Sequence, residues 1–254
     1  MIHYYIISGW TPNKQSGLDN SRKDFLIDQF KKYNLDKKNI TWMEGNNKND
    51  LSEELVNTVY FHDKKINENY LKKGKISCTY KHYLCLEDII EKDREYSVIM
   101  EDDLSFSKDI QLTTENIIND ANKNYPDWDI IFDGDINHSW GICAYYYDES
   151  KVIPEKLVYH KSNNVRQHIN SFKVNYNYLN KPTYGVIHGS TRGANYYIVN
   201  KKSAKLLLEN FMPFNNVIDH YYNEMIRKLN LNVYWSEPPF VHKMRRKSTA
   251  ENDD

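Results

Sequence analysis

Three adjacent carboxylates, Glu101, Asp102 and Asp103, come directly after the apolar residues 98–100. A short apolar run of this kind predicts a buried strand, so the three charges are expected where that strand ends. Two unit charges about 4 Å apart repel by roughly 4 kcal/mol at an effective dielectric near 20, so a cluster that is not fully solvated favours a bound cation. Carboxylate oxygens select Mg²⁺, Mn²⁺ or Ca²⁺ over Zn²⁺. The alternative is a solvated acidic turn that caps the following helix.

A second pair of acids, Asp133 and Asp135, lies at the end of the predicted strand 126–135. In open α/β sheets, ligands bind outside the carboxyl ends of the strands, so both acid clusters are expected at the ligand-binding edge. The second pair competes with the first cluster as the metal site, or contacts an acceptor hydroxyl. Spacing alone does not rank the two clusters.

Asp219, two histidines and two cysteines each have a structural and a functional interpretation. Asp219 opens a predicted helix, where it caps the helix or acts as a general base toward an attacking hydroxyl. His82 lies mid-helix on the stripe that should face the sheet, where a core residue is favoured over a ligand. His242, near the end of a C-terminal strand, is within reach of a metal or a diphosphate. Cys78 and Cys85, seven residues apart in one predicted helix, are expected to be small buried apolar residues, because a zinc site would have closer Cys/His spacing.

The composition indicates a folded protein and excludes several classes of function. The chain has 254 residues, 40% hydrophobic and 14% aromatic content, and a formal net charge of −1, so neither disorder nor a nucleic-acid partner is expected. Three cysteines favour reduced thiols in a cytosol-like compartment. No stretch has the roughly 18–20 apolar residues of a transmembrane helix, so we expect a cytoplasmic protein, with contact at the cytoplasmic face of a membrane left open. Signature motifs of dinucleotide oxidoreductases, P-loop NTPases, serine hydrolases and zinc proteases do not occur.

Alternating strand and helix patterns predict an α/β fold with a doubly wound sheet. Strands are predicted over 3–8, 39–44, 96–101, 126–135 and 191–200, and a further strand within 232–243 is predicted to end at Pro238 and Pro239. Helices are predicted over 20–35, 75–95, 107–125, 201–211 and 216–231.

Several of these segments, taken in order, resemble glycosyltransferase family 25, the family of bacterial lipooligosaccharide β-galactosyltransferases and procollagen galactosyltransferases. The resemblance covers most of residues 3–243, and it rests on the order and spacing of blocks that are each weak alone. The blocks are an early strand followed by a helix with Arg22, a Cys-x-x-x-His helix with Cys78 and His82, "VIMEDDLSF", "PDWDII", "RGANYYIVNKKSAKLLLENF", "NNVIDHYY" and "EPPFVHK".

The chain also departs from the family pattern. Ser77 and Lys81 stand where the family usually has Gly before the Cys and Ser before the His, and "FDGD" stands where a Leu-Gly ending is common. Residues 136–190 match no block of the family. These departures leave two alternatives open: a non-catalytic carbohydrate-binding protein that retains the fold, and a nucleotidyltransferase that uses the same acids.

The resemblance implies a GT-A-like fold, a mostly parallel twisted sheet with helices on both faces. It implies one domain over 1–243, with a nucleotide-binding half over about 1–135 and an acceptor half over about 136–243, followed by a polar tail over 244–254 for which disorder is expected. The implied reaction is the inverting, metal-dependent transfer of a hexose, galactose or glucose, from a UDP-sugar. The implied acceptor is a hydroxyl of a glycan, lipooligosaccharide or glycoprotein, and the implied cofactor is Mn²⁺ or Mg²⁺.

For the metal, the resemblance implies Asp103 as the main ligand, with Glu101 and His242 as further contacts. Glu101 or Asp102 would also hold the ribose or a metal-bound water. A divalent ion on the diphosphate stabilises the negative charge that develops on the leaving UDP.

For the donor and the reaction, the resemblance implies three further residues. Arg22 would bind uracil or phosphate, and Arg192 would bind the diphosphate. Inversion needs a base opposite the leaving group, for which Asp219 is the candidate; its alternative role is to bind hydroxyls of the sugar.

Overall fold

The computed structural model describes residues 1–9, 17–64, 69–133, 160–161, 192–236 and 240–244. The strands in these ranges are β1 (Ile2–Ile7), β2 (Ile40–Met43), β3 (Tyr96–Glu101), β4 (Leu104–Phe106), β5 (Ile130–Phe132), β6 (His160–Lys161), β7 (Tyr196–Asn200), β8 (Val233–Trp235) and β9 (Val241–Lys243). The α-helices are α1 (Gly17–Lys32), α2 (Glu53–Val59), α3 (Lys73–Glu91), α4 (Ile110–Asn124), α5 (Lys201–Phe211) and α6 (Ile218–Lys228).

Seven strands form one sheet in the order β2–β1–β3–β7–β5–β8–β6. β1 pairs in parallel with β2 and β3, and β5 pairs in parallel with β8. β7 runs antiparallel between β3 and β5, and β6 runs antiparallel at the edge beside β8. The predicted fold class is confirmed: this is a mostly parallel sheet flanked by helices, consistent with a GT-A-like fold.

Both faces of the sheet are covered at its centre, which explains the continuous apolar sequences of β1 and β3. Successive side chains of a strand point to opposite faces. Tyr5 and Ile99 pack into a core with α2, α3, α5 and α6, whereas Tyr4 and Val98 pack into a second core with α1 and α4. The two cores hold the central strands rigidly, and the ends of these strands carry the acids.

The segment 232–243, predicted as a strand that ends at Pro238 and Pro239, forms two strands in different sheets. β8 joins the main sheet, whereas β9 pairs antiparallel with β4 in a separate two-stranded sheet. Pro238 and Pro239 lie between them in the sequence, and proline has no backbone N–H to donate to a sheet. β4, which starts directly after Asp103, is not predicted from the sequence.

The predicted strand 126–135 is shorter in the structure, where β5 contains only three residues. Asp129, just before it, is buried and fastens neighbouring elements: Ser203 Oγ donates to its Oδ1 over 2.6 Å, and Asn232 N donates to its Oδ2 over 2.7 Å. Asp129, directly before β5, therefore links the start of α5 to the start of β8.

The helix predictions agree with the structure to within a few residues. α4 begins at Ile110 because Asp109 caps it, with Asp109 Oδ1 accepting a hydrogen bond from Leu112 N over 2.8 Å. Among the helices of the described ranges, none carries an apolar stretch of bilayer-spanning length.

Candidate active site

The first acid cluster lies where three strands meet at one edge of the main sheet. Glu101 is the last residue of β3, Ser8 follows β1, and Asn195 precedes β7. Because β3 is parallel to β1 and antiparallel to β7, these positions lie side by side, and Glu101 N donates to Asn195 O over 2.9 Å. The acids therefore lie at the carboxyl ends of parallel strands, where ligands bind in open α/β sheets.

Asp102 connects β3 to β1 and α1. Ser8 Oγ donates to Asp102 Oδ2 over 2.8 Å, and Arg22 Nη1 donates to Asp102 Oδ1 over 3.3 Å. Burial raises the pKa of Asp102, and the hydrogen bond from Ser8 and the charge of Arg22 oppose this rise. The structure thus brings two of the predicted site residues, Arg22 and Asp102, into direct contact at the site edge.

Asp103 is 5% exposed, and its two carboxylate oxygens have different surroundings. Asp103 Oδ2 lies 3.7 Å from Lys243 Nζ. Asp103 Oδ1 is buried and has no hydrogen-bond partner among the residues that the structure describes. A buried carboxylate oxygen without a partner is energetically costly unless something else binds it.

Glu101 is contacted on one oxygen by two side chains from distant parts of the chain. Lys243 Nζ lies 3.4 Å from Glu101 Oε2, and the side-chain amide of Asn195 donates to the same oxygen over 3.1 Å. Burial raises the pKa of Glu101 to about 7; the charge of Lys243 opposes this shift, and the charge of Asp103 adds to it. The negative charge of Glu101 in turn raises the pKa of Lys243, which burial alone would lower.

Lys243, which the sequence analysis does not identify, is the β9 residue that contacts the acids. Side chains alternate along a strand, so His242 points to the face of β9 opposite Lys243. His242 pairs with Ser105 of β4, and its assignment as a metal contact stays a prediction. The alternation of residues in β9 is the sequence signal that distinguishes the two positions.

Asp133 has a structural role at the neighbouring strand end. Its Oδ1 accepts hydrogen bonds from Phe240 N and Val241 N, each over 3.1 Å. This carboxylate fastens the start of β9 to the end of β5, and so it positions Lys243. Asp135, the other acid of this pair, lies outside the described residues.

The stripe of α3 that faces the sheet brings two more chemically active side chains to the same edge. His82 is fully buried, in agreement with the core interpretation, and its Nδ1 lies 2.8 Å from the hydroxyl of Tyr197. Cys85 is fully buried as predicted, whereas Cys78 is half-buried. Ligand atoms of Cys78, His82 and Glu101 all lie within 4.8 Å of one another.

Asp219 lies in the first turn of α6, which begins one residue earlier at Ile218, so Asp219 is not the N-cap. Its Oδ1 accepts a hydrogen bond from His220 N over 3.0 Å. Burial lowers the pKa of His82 to about 3, and the negative charge of Asp219 opposes this shift. Burial raises the pKa of Cys78, and the same negative charge adds to the rise. The carboxylate of Asp219 is therefore within electrostatic range of the α3 residues that face Glu101.

The turn before β7 uses left-handed backbone conformations to place Asn195. Gly193 has φ 81° and Ala194 has φ 54°. A Cβ atom on Gly193 would meet the Asn195 side chain at 3.2 Å, so glycine suits this position for two reasons. Arg192 starts this turn, but its side chain, predicted to bind the diphosphate, lies outside what the structure describes.

Comparison with known proteins identifies the family of the chain. The family model "Glycosyltransferase family 25 (LPS biosynthesis protein)" matches residues 12–222. The chain belongs to glycosyltransferase family 25. The resemblance inferred from the ordered motifs is thereby confirmed, and so is the predicted enzyme class at the level of the family.

A curated relative is similar to this family 25 protein over a shorter stretch. A segment of 64 residues is 30% identical to procollagen galactosyltransferase 1 of Danio rerio. The match spans 25% of this chain and 11% of that relative.

The acid cluster of this family 25 protein fits the divalent cation that the resemblance implies. The three carboxylates lie close together and are contacted by Arg22 and Lys243, and the buried Lys81 is within electrostatic range of Asp102. The donors are hard carboxylate oxygens, which suit Mg²⁺ or Mn²⁺. Asp103 Oδ1, buried and without a partner, is the atom best placed to accept such an ion.

The raised pKa of Glu101 predicts how stability changes with pH in the metal-free protein. A carboxyl whose pKa rises from 4.5 to about 7 on folding binds more protons in the folded state, so the free energy of unfolding falls as pH rises through this window. The pKa of Lys243 is raised, so Lys243 stays charged in this window and adds no slope. In EDTA, we expect Glu101→Gln to exceed the parent in the free energy of unfolding by about 1–3 kcal/mol near pH 8 and to match it near pH 4. Urea denaturation across this range checks the prediction, and parallel pH profiles for the two proteins would contradict it.

Proposed function

We propose that this family 25 protein is an inverting, metal-dependent hexosyltransferase that uses a UDP-sugar and a hydroxyl acceptor. The observation that carries the proposal is the buried oxygen Asp103 Oδ1, which has no hydrogen-bond partner in the described structure and lies at the ligand-binding edge of the sheet. Leaving a buried polar group unpaired costs about 1–3 kcal/mol, and more for a charged group. A bound cation would offset that cost, which supports a metal at this position.

The acids have different proposed roles because their contacts differ. Asp103, together with Glu101, would hold Mn²⁺ or Mg²⁺. When bound, the ion would stabilise the negative charge that develops on the leaving UDP. Asp102, fixed by Ser8 and Arg22, would present its carboxylate to the ribose or to a metal-bound water.

The cationic side chains would complete the donor site. Arg22, buried beside Asp102, would place its guanidinium next to the uracil or a phosphate. Arg192 would contact the diphosphate from the turn before β7. His242, whose side chain points to the opposite face of β9 from Lys243, stays a predicted third metal contact that the proposal does not require. Lys243 would offset the charge of Glu101 and Asp103 in the absence of the ion.

Asp219 is the proposed general base. It lies in the first turn of α6 and acts electrostatically on the α3 residues that face Glu101. From there its carboxylate would accept the proton of the attacking hydroxyl as that oxygen forms the new bond to the sugar. The alternative role, binding sugar hydroxyls, predicts a smaller effect on the rate.

Galactose is the proposed sugar, with glucose as the second choice. The name of the Danio rerio relative, procollagen galactosyltransferase 1, supports galactose. The family description names LPS biosynthesis, which supports a glycan or lipooligosaccharide acceptor beside a glycoprotein acceptor. We further propose a cytoplasmic protein with a nucleotide-binding half over about 1–135 and an acceptor half over about 136–243.

A panel of UDP- and GDP-sugars with Mn²⁺, read out as release of free nucleotide, tests the proposal. Donor hydrolysis is detectable without an acceptor, so the acceptor need not be known in advance. We expect UDP release from UDP-galactose that is faster than from the other donors and is lost in excess EDTA. Undiminished release in EDTA would contradict metal dependence.

Two other outcomes would replace the proposed activity with an alternative. Release of pyrophosphate would identify a nucleotidyltransferase that uses the same acids. Binding of glycans on an array, without turnover of any donor, would identify a non-catalytic carbohydrate-binding protein.

A further inference from the structure

The α3 side of the site contains a second group of metal-ligating side chains with different chemistry. Cys78 and His82 are four residues apart on α3, so they lie on one face of the helix. They face Glu101 at the end of β3, and one ligand atom from each of the three residues lies within 4.8 Å of the other two. A single ion placed among them would contact all three after small side-chain adjustments.

His82 is oriented as a metal ligand would be. Its Nδ1 lies 2.8 Å from the hydroxyl of Tyr197, which itself lies 2.9 Å from the hydroxyl of Tyr222. Its Nε2 is buried and has no hydrogen-bond partner among the described residues. Metal-bound histidines typically hold their second ring nitrogen in such a hydrogen bond, which fixes the tautomer and the ring orientation. Leaving Nε2 unpaired in the interior is costly, and in the tautomer whose Nδ1–H donates to the Tyr197 hydroxyl, the lone pair of Nε2 is available to an ion.

The other two ligands are also available on the side that faces His82. Cys78 is a free, half-buried thiol. Glu101 uses Oε2 for its contacts with Lys243 and Asn195, so Oε1 can contact an ion without breaking them. The group therefore offers one sulfur, one imidazole nitrogen and one carboxylate oxygen.

We propose that Cys78, His82 and Glu101 form a binding site for Zn²⁺ or a similar thiolate-preferring divalent ion. Thiolate and imidazole ligands select zinc over Mg²⁺ and Mn²⁺, which prefer oxygen. Three protein ligands leave one tetrahedral position open, as in zinc sites that also bind water or substrate. The site shares Glu101 with the acid cluster but does not depend on the proposed transfer reaction.

Cobalt(II) titration tests this site without any sugar donor, because Co²⁺ replaces Zn²⁺ and gives a thiolate-to-cobalt charge-transfer band when a cysteine binds it. All variants carry Cys143→Ala, so that this third thiol does not contribute. We expect the band in the parent background and expect Zn²⁺, but not Mn²⁺, to abolish it. Cys78→Ala should remove the band and weaken Zn²⁺ binding by about 100-fold or more.

Cys85→Ala is the matched control, because Cys85 lies two turns further along α3 and faces the apolar core. Cys85→Ala should keep the charge-transfer band. Asp103→Asn should also keep it, because it alters only the carboxylate cluster Glu101–Asp103. Circular dichroism confirms that each variant is folded. A parent protein that shows no band at saturating Co²⁺, or a folded Cys78→Ala variant that retains it, would overturn the proposal; neither result bears on sugar transfer, which the nucleotide-release assay measures separately.

Discussion

Asp103→Asn is expected to slow release of UDP from the sugar donor in Mn²⁺ by about 100-fold or more while leaving the fold intact. A bound divalent ion contributes several kcal/mol of transition-state stabilisation, and each 1.4 kcal/mol corresponds to a factor of ten in rate. Asparagine keeps the size of the side chain but removes the charge that would hold the ion. The substitution removes repulsion from the like-charged Glu101 but also weakens the contact of Asp103 Oδ2 with Lys243, and these two effects oppose each other, so the metal-free unfolding temperature should stay close to that of the parent.

Two measurements separate loss of the ion from loss of the fold. A ligand at about 100 times its dissociation constant stabilises the folded state by about 2.7 kcal/mol, so Mn²⁺ plus UDP should raise the unfolding temperature of the parent. That increase should disappear in Asp103→Asn. Asp28→Asn, the same change at an exposed position of α1, is the control and should behave like the parent. Full activity of Asp103→Asn, or of the parent in excess EDTA, would disprove the metal assignment.

Much of the fold can be predicted from the sequence because its signals are local. Buried parallel strands such as β1 and β3 read as unbroken apolar runs, and the helices between them show apolar residues at helical spacing. The position of Glu101–Asp103 at the ligand-binding edge follows from one further rule, that parallel strands end at the same edge of the sheet. No knowledge of contacts between distant residues is needed for any of these steps.

The partners of the acids, in contrast, come from distant parts of the chain. Lys243 is separated from Glu101 by 142 residues, and it is held at the site by the pairing of β9 with β4 and by the two backbone hydrogen bonds that Asp133 accepts from the start of β9. In the sequence, Asp133 is an acid at the end of a strand. That position is as typical of a metal ligand as of a structural anchor. Only the observed contacts distinguish an anchor from a ligand.

The residues of α3 that face the sheet also have roles that the sequence alone does not determine. Helical spacing places Cys78, His82 and Cys85 on one face, and a core role is the reasonable prediction for all three. The structure confirms that role for Cys85 and shows that His82, although buried, leaves Nε2 unpaired beside Glu101. Whether His82 is a core residue or a ligand depends on Glu101 at the end of β3. The sequence of α3 alone does not show that Glu101 lies nearby.

Asp219→Asn is expected to lower kcat by about 10²- to 10⁴-fold, the range typical for loss of a general base. Asparagine retains the oxygen that accepts the hydrogen bond from His220 N, so the first turn of α6 should stay intact. The proposal assigns donor binding to other residues, so the increase in unfolding temperature produced by Mn²⁺ plus UDP should be unchanged. This combination, a large loss in kcat with intact donor binding, distinguishes Asp219→Asn from Asp103→Asn, which should lose both.

The control for Asp219 is Glu224→Gln, which neutralises a partly exposed carboxylate on the same helix and should leave kcat unchanged. If Asp219 instead binds hydroxyls of the sugar, the amide can still form hydrogen bonds, and the loss should be small and appear mainly in KM. A kcat within a few-fold of the parent would therefore exclude the general-base role. Loss of catalysis in both variants, with donor binding lost only in Asp103→Asn, would support separate roles for the two carboxylates, proton transfer for Asp219 and metal binding for Asp103.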